Sequence, residues 1–161
     1  MNLLLLRHGE AESVASTDHG RQLTEAGFDE IENVARQFAT RHLQIDRCFV
    51  SPALRARQTA DTFLAQIFNA PEAEILEALD PGQRAAQVMS ALGSLEGGNI
   101  LLVGHNPLLS ELLVLLTDGN IDNLHILETG NLACVSLDIL GLGMGDCAFV
   151  LEPDMARAAS S

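Results

Sequence analysis

The sequence predicts an α/β protein with a parallel sheet and a functional site at the carboxyl ends of its strands. Residues 3–6 are four consecutive leucines, and an apolar run without polar alternation suits a central strand that is covered on both faces. The run ends directly at Arg7 and His8, and a later apolar run leads into His105. Because ligands bind beyond the carboxyl ends of such strands, we expect these side chains to meet in one site.

A loop and an amphipathic helix follow the first strand. Residues 8–22 are mostly polar, and Gly9 permits a sharp turn or a close approach to a ligand, so that the two residues before it face one cavity. Thr24 is a predicted N-cap. Residues 25–42 then place apolar side chains at helical spacing, which predicts a helix with one buried face.

The second strand and helix carry an arginine at their junction. Residues 45–50 predict the strand, which ends at Ser51 and Pro52. We expect Ser51 to cap a helix over residues 52–68, with Pro52 at its first position, where proline is tolerated because it lacks an N–H. Arg55 then falls in the first turn of this helix, beyond the end of a strand.

The centre of the chain predicts a loop, a helix and a third strand. Residues 69–82 contain two prolines and a glycine, which indicates a loop that includes at most a brief strand. A helical pattern covers residues 83–95, and residues 99–103 form an apolar strand. This strand leads into His105, and it is the third strand end that brings a functional residue to the same edge of the sheet.

The last part of the chain predicts one buried helix and a hairpin. Asn106 is a predicted cap for a helix over residues 107–116, and the wide apolar face of that helix implies deep burial. Its positive N-terminus lies beside His105 and favours bound anions. After a loop at residues 118–131, two strands at residues 132–139 and 147–151 are joined by a glycine-rich turn.

Length and hydropathy indicate a soluble protein with one domain. A chain of 161 residues that is 47% hydrophobic supports one core, so we expect a single domain over residues 1–152 and a disordered tail over residues 153–161. No apolar run approaches the roughly 18 residues of a membrane span, and the start lacks a basic leader. We therefore expect a cytoplasmic location. Three cysteines without paired spacing indicate neither disulfides nor zinc.

The charge distribution narrows the range of partners. The chain has 22 acidic and 9 basic residues, a net charge of −13, and all of its basic residues are arginines. Nucleic acids and anionic membranes are therefore not expected as partners. The arginines are concentrated at or before residue 57, which favours a local anion site in an acidic protein.

Four motifs in series resemble those of the histidine phosphatase superfamily. They are LRHGEA at residues 6–11, RQLT at 21–24, SPALRARQTA at 51–60 and GHNP at 104–107. Their order and spacing, with the small size of the chain, are most similar to the compact bacterial branch of protein-phosphohistidine phosphatases. The resemblance reaches Thr129 and Gly130. It implies a three-layer α/β/α sandwich with a largely parallel central sheet, as in phosphoglycerate mutase-like proteins.

The resemblance also implies a set of site residues. His8 is the implied nucleophile, which takes the phosphoryl group as a covalent phosphohistidine. The other residues of the implied phosphate pocket are Arg7, Arg55 and His105, with Arg21 and Asn106 as second-rank substrate-binding residues.

Physical chemistry supports this assignment independently. A neutral imidazole can attack phosphorus, because its ordinary pKa of about 6.5 leaves it largely unprotonated at neutral pH. Phosphoryl transfer then needs positioning and charge compensation, which Arg7, Arg55 and a protonated His105 supply without a metal ion. A zinc site on His8 and His105 lacks a third ligand at a recognisable spacing. We expect no metal and no cofactor.

The general acid is the open question at this site. Larger members of the histidine phosphatase superfamily carry a carboxylic acid in a long segment after the second motif. In this chain the corresponding segment, residues 69–82, is short. The acidic candidates in this segment are Glu72, Glu74, Glu77 and Asp80. Glu77 is nearest the expected place, and an alignment shifted by one residue places Ala78 there instead. The short segment also implies an open, shallow site that admits a phosphorylated side chain of another protein.

The predicted function is a metal-independent phosphatase that acts on phosphohistidine of a signalling protein. A phosphatase for small phosphate esters is the alternative enzyme, and a phospho-residue binding module without turnover is the alternative outside enzymes. Arg57 is expected to be solvated. The histidines without motif context, expected to be surface or structural residues, are His19, His42 and His125.

Overall fold

The computed structural model describes residues 1–95, 97–119 and 126–155. The strands are β1 (Asn2–Arg7), β2 (Arg47–Val50), β3 (Ala73–Ile75), β4 (Asn99–Gly104), β5 (Leu132–Leu137) and β6 (Gly145–Leu151). The helices are α1 (Glu25–Ala39), α2 (Leu54–Leu64), α3 (Ala85–Leu92) and α4 (Leu108–Thr117), with a short 3₁₀ helix at Glu77–Leu79. The order of strands and helices confirms the predicted α/β class.

The six strands form one sheet in the order β3-β2-β4-β1-β5-β6. The pairs β1–β4, β2–β4 and β2–β3 are parallel. The C-terminal hairpin makes the sheet mixed, because β5 runs antiparallel to both β1 and β6. The prediction of a largely parallel sheet is thus confirmed, and β1 lies inside it between β4 and β5.

The four leucines of β1 divide between the two faces of the sheet. Leu3 and Leu5 belong to the core formed with α3 and α4, whereas Leu4 and Leu6 belong to the core formed with α1 and α2. None of the four is more than 1% exposed, and each contributes about 1.5–3 kcal/mol by burial. Burial on both faces explains the missing polar alternation and confirms the three-layer sandwich.

Parallel pairing places the functional strand ends side by side. Arg7 at the end of β1 pairs with Gly104 of β4, and Val50 of β2 pairs with Val103. The residues that follow continue the same ladder, since the His8 N–H donates to the Gly104 carbonyl at 3.0 Å. The three segments that leave β1, β2 and β4 therefore start next to one another.

The start of helix α2 differs from the predicted one. Thr24 caps α1 as predicted, because its hydroxyl accepts the Gly27 N–H at 3.0 Å. Ser51 does not cap α2, which begins at Leu54, two residues after the predicted start. The Ser51 hydroxyl instead accepts the Ala53 N–H at 3.2 Å within the turn before the helix. Helices α1 and α3 are likewise shorter than predicted, whereas α4 is shifted by one residue toward the C-terminus with its predicted length unchanged.

The segment that follows β6 forms hydrogen bonds with helix α1. The Gln37 side chain donates to the Glu152 carbonyl at 2.7 Å, and the Asp154 N–H donates to Asn33 Oδ1 at 2.8 Å. Of the tail predicted to be disordered, residues 156–161 lie outside the described residues. Across the described ranges, no helix has the length and apolar character needed to cross a bilayer.

Candidate active site

His8 lies immediately after β1 with its ring orientation determined by the main chain. The side chain is 8% exposed, and Nδ1 lies 2.7 Å from the Gly9 carbonyl oxygen. A carbonyl only accepts hydrogen bonds, so Nδ1 carries the proton and Nε2 keeps its lone pair. Burial, with a smaller contribution from Arg55 and Arg7, lowers the pKa of His8 to about 4 despite the opposing Gly9 hydrogen bond. The ring is therefore neutral at neutral pH.

Arg7 is the last residue of β1 and points its guanidinium toward the loop before β5. Its Nη1 donates to the Leu127 carbonyl at 2.9 Å. Burial lowers the pKa of this arginine, and the charges of Glu128 and Glu30 oppose that shift. An arginine remains cationic under these conditions, so Arg7 brings a half-buried positive charge next to His8.

Arg55, in the first turn of α2, is 4% exposed and is held by one residue of the loop after β1. Its Nη1 donates to the Asp18 carbonyl at 2.8 Å, and its Nη2 donates to Asp18 Oδ2 at 3.2 Å. Burial disfavours the Asp18 carboxylate, yet hydrogen bonds and charges from Arg55 and Arg21 lower its pKa overall. Asp18 thus orients Arg55 with both its main chain and its side chain.

His105, after β4, faces His8 across the site. The two ring centroids are 5.0 Å apart, and His105 Nε2 lies 2.7 Å from Ser51 Oγ. Burial, followed by the nearby His8 and Arg55, lowers the pKa of His105 to about 3. In the free protein a further cation is disfavoured in this buried, already cationic cluster, so His105 is neutral there, and its protonation during phosphoryl transfer stays a prediction.

Three buried side-chain nitrogens lack a hydrogen-bond partner within the described residues, and all three belong to this cluster. They are Arg7 Nε, Arg55 Nε and His105 Nδ1. Buried donors without partners are unfavourable, by about 1–3 kcal/mol each. A small anion beside His8 is the type of ligand that satisfies such donors, and two guanidinium groups suit the oxygens of a phosphoryl group.

Known proteins are similar to this chain in both sequence and fold. The sequence profile of the histidine phosphatase superfamily (branch 1) matches residues 3–81. The chain is 34% identical to the phosphohistidine phosphatase SixA of Escherichia coli strain K12 over 147 residues, which are 89% of each chain. The chain belongs to the histidine phosphatase superfamily.

A second relative in sequence and one solved structure are also similar to this chain. A SixA homolog of Haemophilus influenzae is 33% identical over 126 residues, which cover 70% of this chain and 75% of that protein. A structure of the protein histidine phosphatase SixA complexed with tungstate has a TM-score of 0.87 and 30% identity, and it covers 97% of this chain and 99% of its own. The predicted superfamily and fold are confirmed.

Arg21 lies at the rim of the cluster. Its Nε donates to the Glu12 carbonyl at 2.6 Å, and its Nη1 lies 3.3 Å from Asp18 Oδ1. Its charge is one of the contributions that lower the pKa of His8, after burial and the closer arginines. Arg21 is therefore near enough to influence the site, and its substrate-binding role stays a prediction.

Asn106 contacts the frame of the site. Its Nδ2 donates to the Leu127 carbonyl at 2.6 Å, and its Oδ1 accepts the Ser110 N–H at 3.2 Å. The predicted N-cap position is wrong by one residue, because α4 begins at Leu108 with Pro107 as its N-cap. Asn106 still accepts the N–H of the third helical residue from one position further back. Because Arg7 binds the same carbonyl, Asn106 helps to position Arg7. Its substrate-binding role stays a prediction.

Several other predicted positions lie outside the cluster. Glu77 is exposed at the start of the 3₁₀ helix, and its role as an acid stays a prediction. Arg57 is exposed, as expected, and its Nε donates to the Pro52 carbonyl at 3.1 Å. His125 lies outside the described residues. In the part of the chain that is described, no three His, Cys, Asp or Glu side chains are grouped as a metal site requires.

Three residues of the site were missed by sequence reasoning. Asp18 was one of three acids in the polar loop of residues 8–22, and no local signal distinguished it. Ser51 was predicted as a helix cap rather than as the partner of His105. Thr59 donates to the Arg55 carbonyl at 2.8 Å and accepts the Gly9 N–H at 3.2 Å, so it joins α2 to the loop after β1.

Proposed function

We propose that this protein is a metal-independent phosphatase that removes the phosphoryl group from phosphohistidine on a signalling protein. The observation that carries the proposal is the neutral His8, whose Nε2 lone pair is free inside a cluster of unpartnered buried donors. The 34% identity to SixA supports the substrate class. The 30% identical SixA structure contains tungstate, a tetrahedral oxyanion like phosphate. A phosphorylated protein partner and a cytoplasmic location belong to the same proposal.

The reaction follows from the atoms that are available. His8 Nε2 attacks phosphorus, the bond to the leaving group breaks, and the phosphoryl group is held as a phosphohistidine until water releases it. Arg7 and Arg55 compensate the charge on the equatorial oxygens. When the Ser51 hydroxyl donates to Nε2, neutral His105 carries its proton on the unpartnered Nδ1 and can donate it to a phosphoryl oxygen. A bound dianion favours the protonated form of this ring.

Phosphohistidine is a favourable substrate because of its leaving group. When the second ring nitrogen carries a proton, imidazole departs as a neutral molecule, and its conjugate acid has a pKa of about 6.5. An alkyl phosphate must expel an alkoxide almost as basic as hydroxide, whose conjugate acid has a pKa near 15.7, so it needs help from an acid. We expect kcat/KM to rank phosphohistidine above activated aryl phosphates, and those above phosphosugars.

The decisive experiment examines the nucleophile. His8→Ala should abolish turnover and keep the far-ultraviolet circular dichroism spectrum of the wild type. Wild-type protein quenched briefly with labelled substrate should contain an acid-labile, base-stable phosphoenzyme that the variant lacks. His42→Ala, a change at an exposed histidine, is the matched control. Turnover by His8→Ala at the wild-type rate contradicts the proposal.

A substrate panel examines the substrate class. It compares a phosphohistidine protein, phosphoramidate, an aryl phosphate and sugar phosphates under one set of conditions. A sugar phosphate that is hydrolysed fastest makes the protein a small-molecule phosphatase. Affinity for vanadate without release of phosphate from any substrate makes it a binding module.

A further inference from the structure

A second pair of titratable side chains, His19 and Asp80, lies outside the phosphate cluster, next to the loop residue that binds Arg55. His19 Nε2 and Asp80 Oδ1 are 2.6 Å apart, although the two residues are 61 positions apart in the chain. Their side chains are 52% and 24% exposed, so solvent reaches both. The pair joins the loop after β1 to the end of the 3₁₀ helix.

The main chain holds His19 close to the phosphate cluster. The residue before it, Asp18, binds Arg55 through a carbonyl and a carboxylate. The His19 carbonyl itself accepts the Leu54 N–H at 2.9 Å, immediately before Arg55 in α2. Electrostatics agree with this proximity. The pKa of His105 is lowered mainly by burial, then by His8 and Arg55, and His19 adds a smaller contribution in the same direction.

The chemistry of the pair suits proton donation. Histidine is the side chain that most often transfers a proton in general acid–base catalysis. A carboxylate that accepts one ring N–H orients an imidazole and stabilises its protonated form. Since Asp80 binds His19 Nε2, the second nitrogen, Nδ1, is the one that can serve a substrate.

We propose that the His19–Asp80 pair is the general acid for phosphate-ester substrates, so that the activity extends beyond phosphohistidine to esters with unactivated leaving groups. This inference rests on the proposed function. As His8 Nε2 bonds to phosphorus, the P–O bond to the leaving group breaks, and the departing oxygen takes the proton from His19 Nδ1. In the second step water attacks phosphorus and returns a proton to His19. The P–N bond breaks, and its electron pair goes back to His8.

The test is the dependence of kcat/KM on the leaving group. Phenyl phosphate expels a phenol whose pKa is about 10, as for tyrosine, whereas 2,4-dinitrophenyl phosphate has a far more acidic leaving group. His19→Gln keeps a donor for Asp80 but has no titratable proton. It should lower kcat/KM for phenyl phosphate by roughly 10²-fold or more, and for the dinitrophenyl ester far less. Asp80→Asn should show the same selectivity in a weaker form.

Matched variants separate this role from structural ones. His42→Gln should show no selectivity for the leaving group, and Glu77→Gln examines the alternative acid. An equal loss with both substrates in His19→Gln overturns the proposal and makes the pair a loop tether. A selective loss in Glu77→Gln alone overturns it in favour of Glu77. A phosphoenzyme formed by His19→Gln from the dinitrophenyl ester shows that the proposed function is intact in either case.

Discussion

At the scale of single residues, the site depends on which atoms of each side chain are already occupied. Gly9 occupies Nδ1 of His8 and leaves Nε2 for attack, whereas Ser51 occupies Nε2 of His105 and leaves Nδ1. The two imidazoles therefore present different nitrogens to a shared space. Burial keeps both neutral, which suits a nucleophile and a hydrogen-bond donor rather than two cations.

Arg55 and His105 should each contribute strongly to turnover. Arg55→Ala and His105→Ala remove one preorganised donor and are expected to lower kcat by about 10²-fold or more. The control is Arg57→Ala, two residues away on the exposed side of α2, which should be nearly silent. Steady-state kinetics, with urea unfolding to confirm the fold, make the measurement. An Arg57→Ala effect equal to that of Arg55→Ala contradicts the placement of the site.

Neutral buried histidines should make stability depend on pH. The pKa of His8 is about 4 in the folded protein and about 6.5 when unfolded, so between these values the unfolded chain binds more protons. The free energy of unfolding should therefore fall as pH drops through this window, by up to about 1.4 kcal/mol per pH unit per histidine. His8→Asn should flatten the curve measured by urea unfolding between pH 7 and pH 5. His42→Asn should not, and parallel curves for wild type and His8→Asn would refute this origin.

At the scale of elements, the loop after β1 packs directly on α1. A Cβ atom on Gly9 would lie 2.6 Å from the Gly27 carbonyl oxygen, and one on Gly27 would collide with the Glu10 carbonyl. The glycine after His8 is thus needed for contact between loop and helix. The expectation that it serves a sharp turn or the approach of a ligand is replaced by this packing requirement.

Gly9→Ala should impair both stability and catalysis. Overpacking at such a contact costs about 1–3 kcal/mol, and the displaced Gly9 carbonyl no longer holds the His8 ring. Urea unfolding and kcat measure the two effects. Gly93→Ala is the control, because its added Cβ meets its nearest atoms at 3.5 Å and its φ is −59°. Gly9→Ala with wild-type stability would disprove the close contact.

At the scale of the whole molecule, a cationic cluster lies within a strongly acidic chain. The net charge is −13, yet Arg7, Arg21 and Arg55 converge around His8. Concentrating positive charge at one edge of the sheet favours a small anion there, while the acidic remainder disfavours extended polyanions. In the proposed mechanism, these arginines take over the charge compensation that a divalent ion supplies in many phosphoryl-transfer enzymes.

Activity should survive chelation of divalent metal ions. Exhaustive dialysis against EDTA is expected to leave phosphatase activity unchanged, because guanidinium groups rather than a metal ion face the phosphoryl oxygens. A metal-dependent phosphatase treated in parallel should lose its activity. Loss of activity in this protein, followed by recovery on adding Zn²⁺ or Mg²⁺, would require a metal-based mechanism.

The sequence by itself determined the elements and the edge of the sheet at which the site lies. Strand and helix patterns are local, since each depends on the polarity of residues a few positions apart. The leucines before His8 predicted a buried parallel strand, and the ends of β2 and β4 located Arg55 and His105. Parallel strands bring their carboxyl ends to one edge, so convergence followed without any knowledge of distances.

Only the tertiary structure decided how the atoms of the site are paired. Asp18 and Arg55 are 37 positions apart, and Ser51 and His105 are 54 apart, so no local pattern reveals either contact. The neutral state of His105 depends on burial, which arises only when the loops close over the cluster. Hydrogen bonds act over about 3 Å, whereas sequence patterns report which face of an element is buried. Partner choice and protonation therefore depend on the folded arrangement of distant segments.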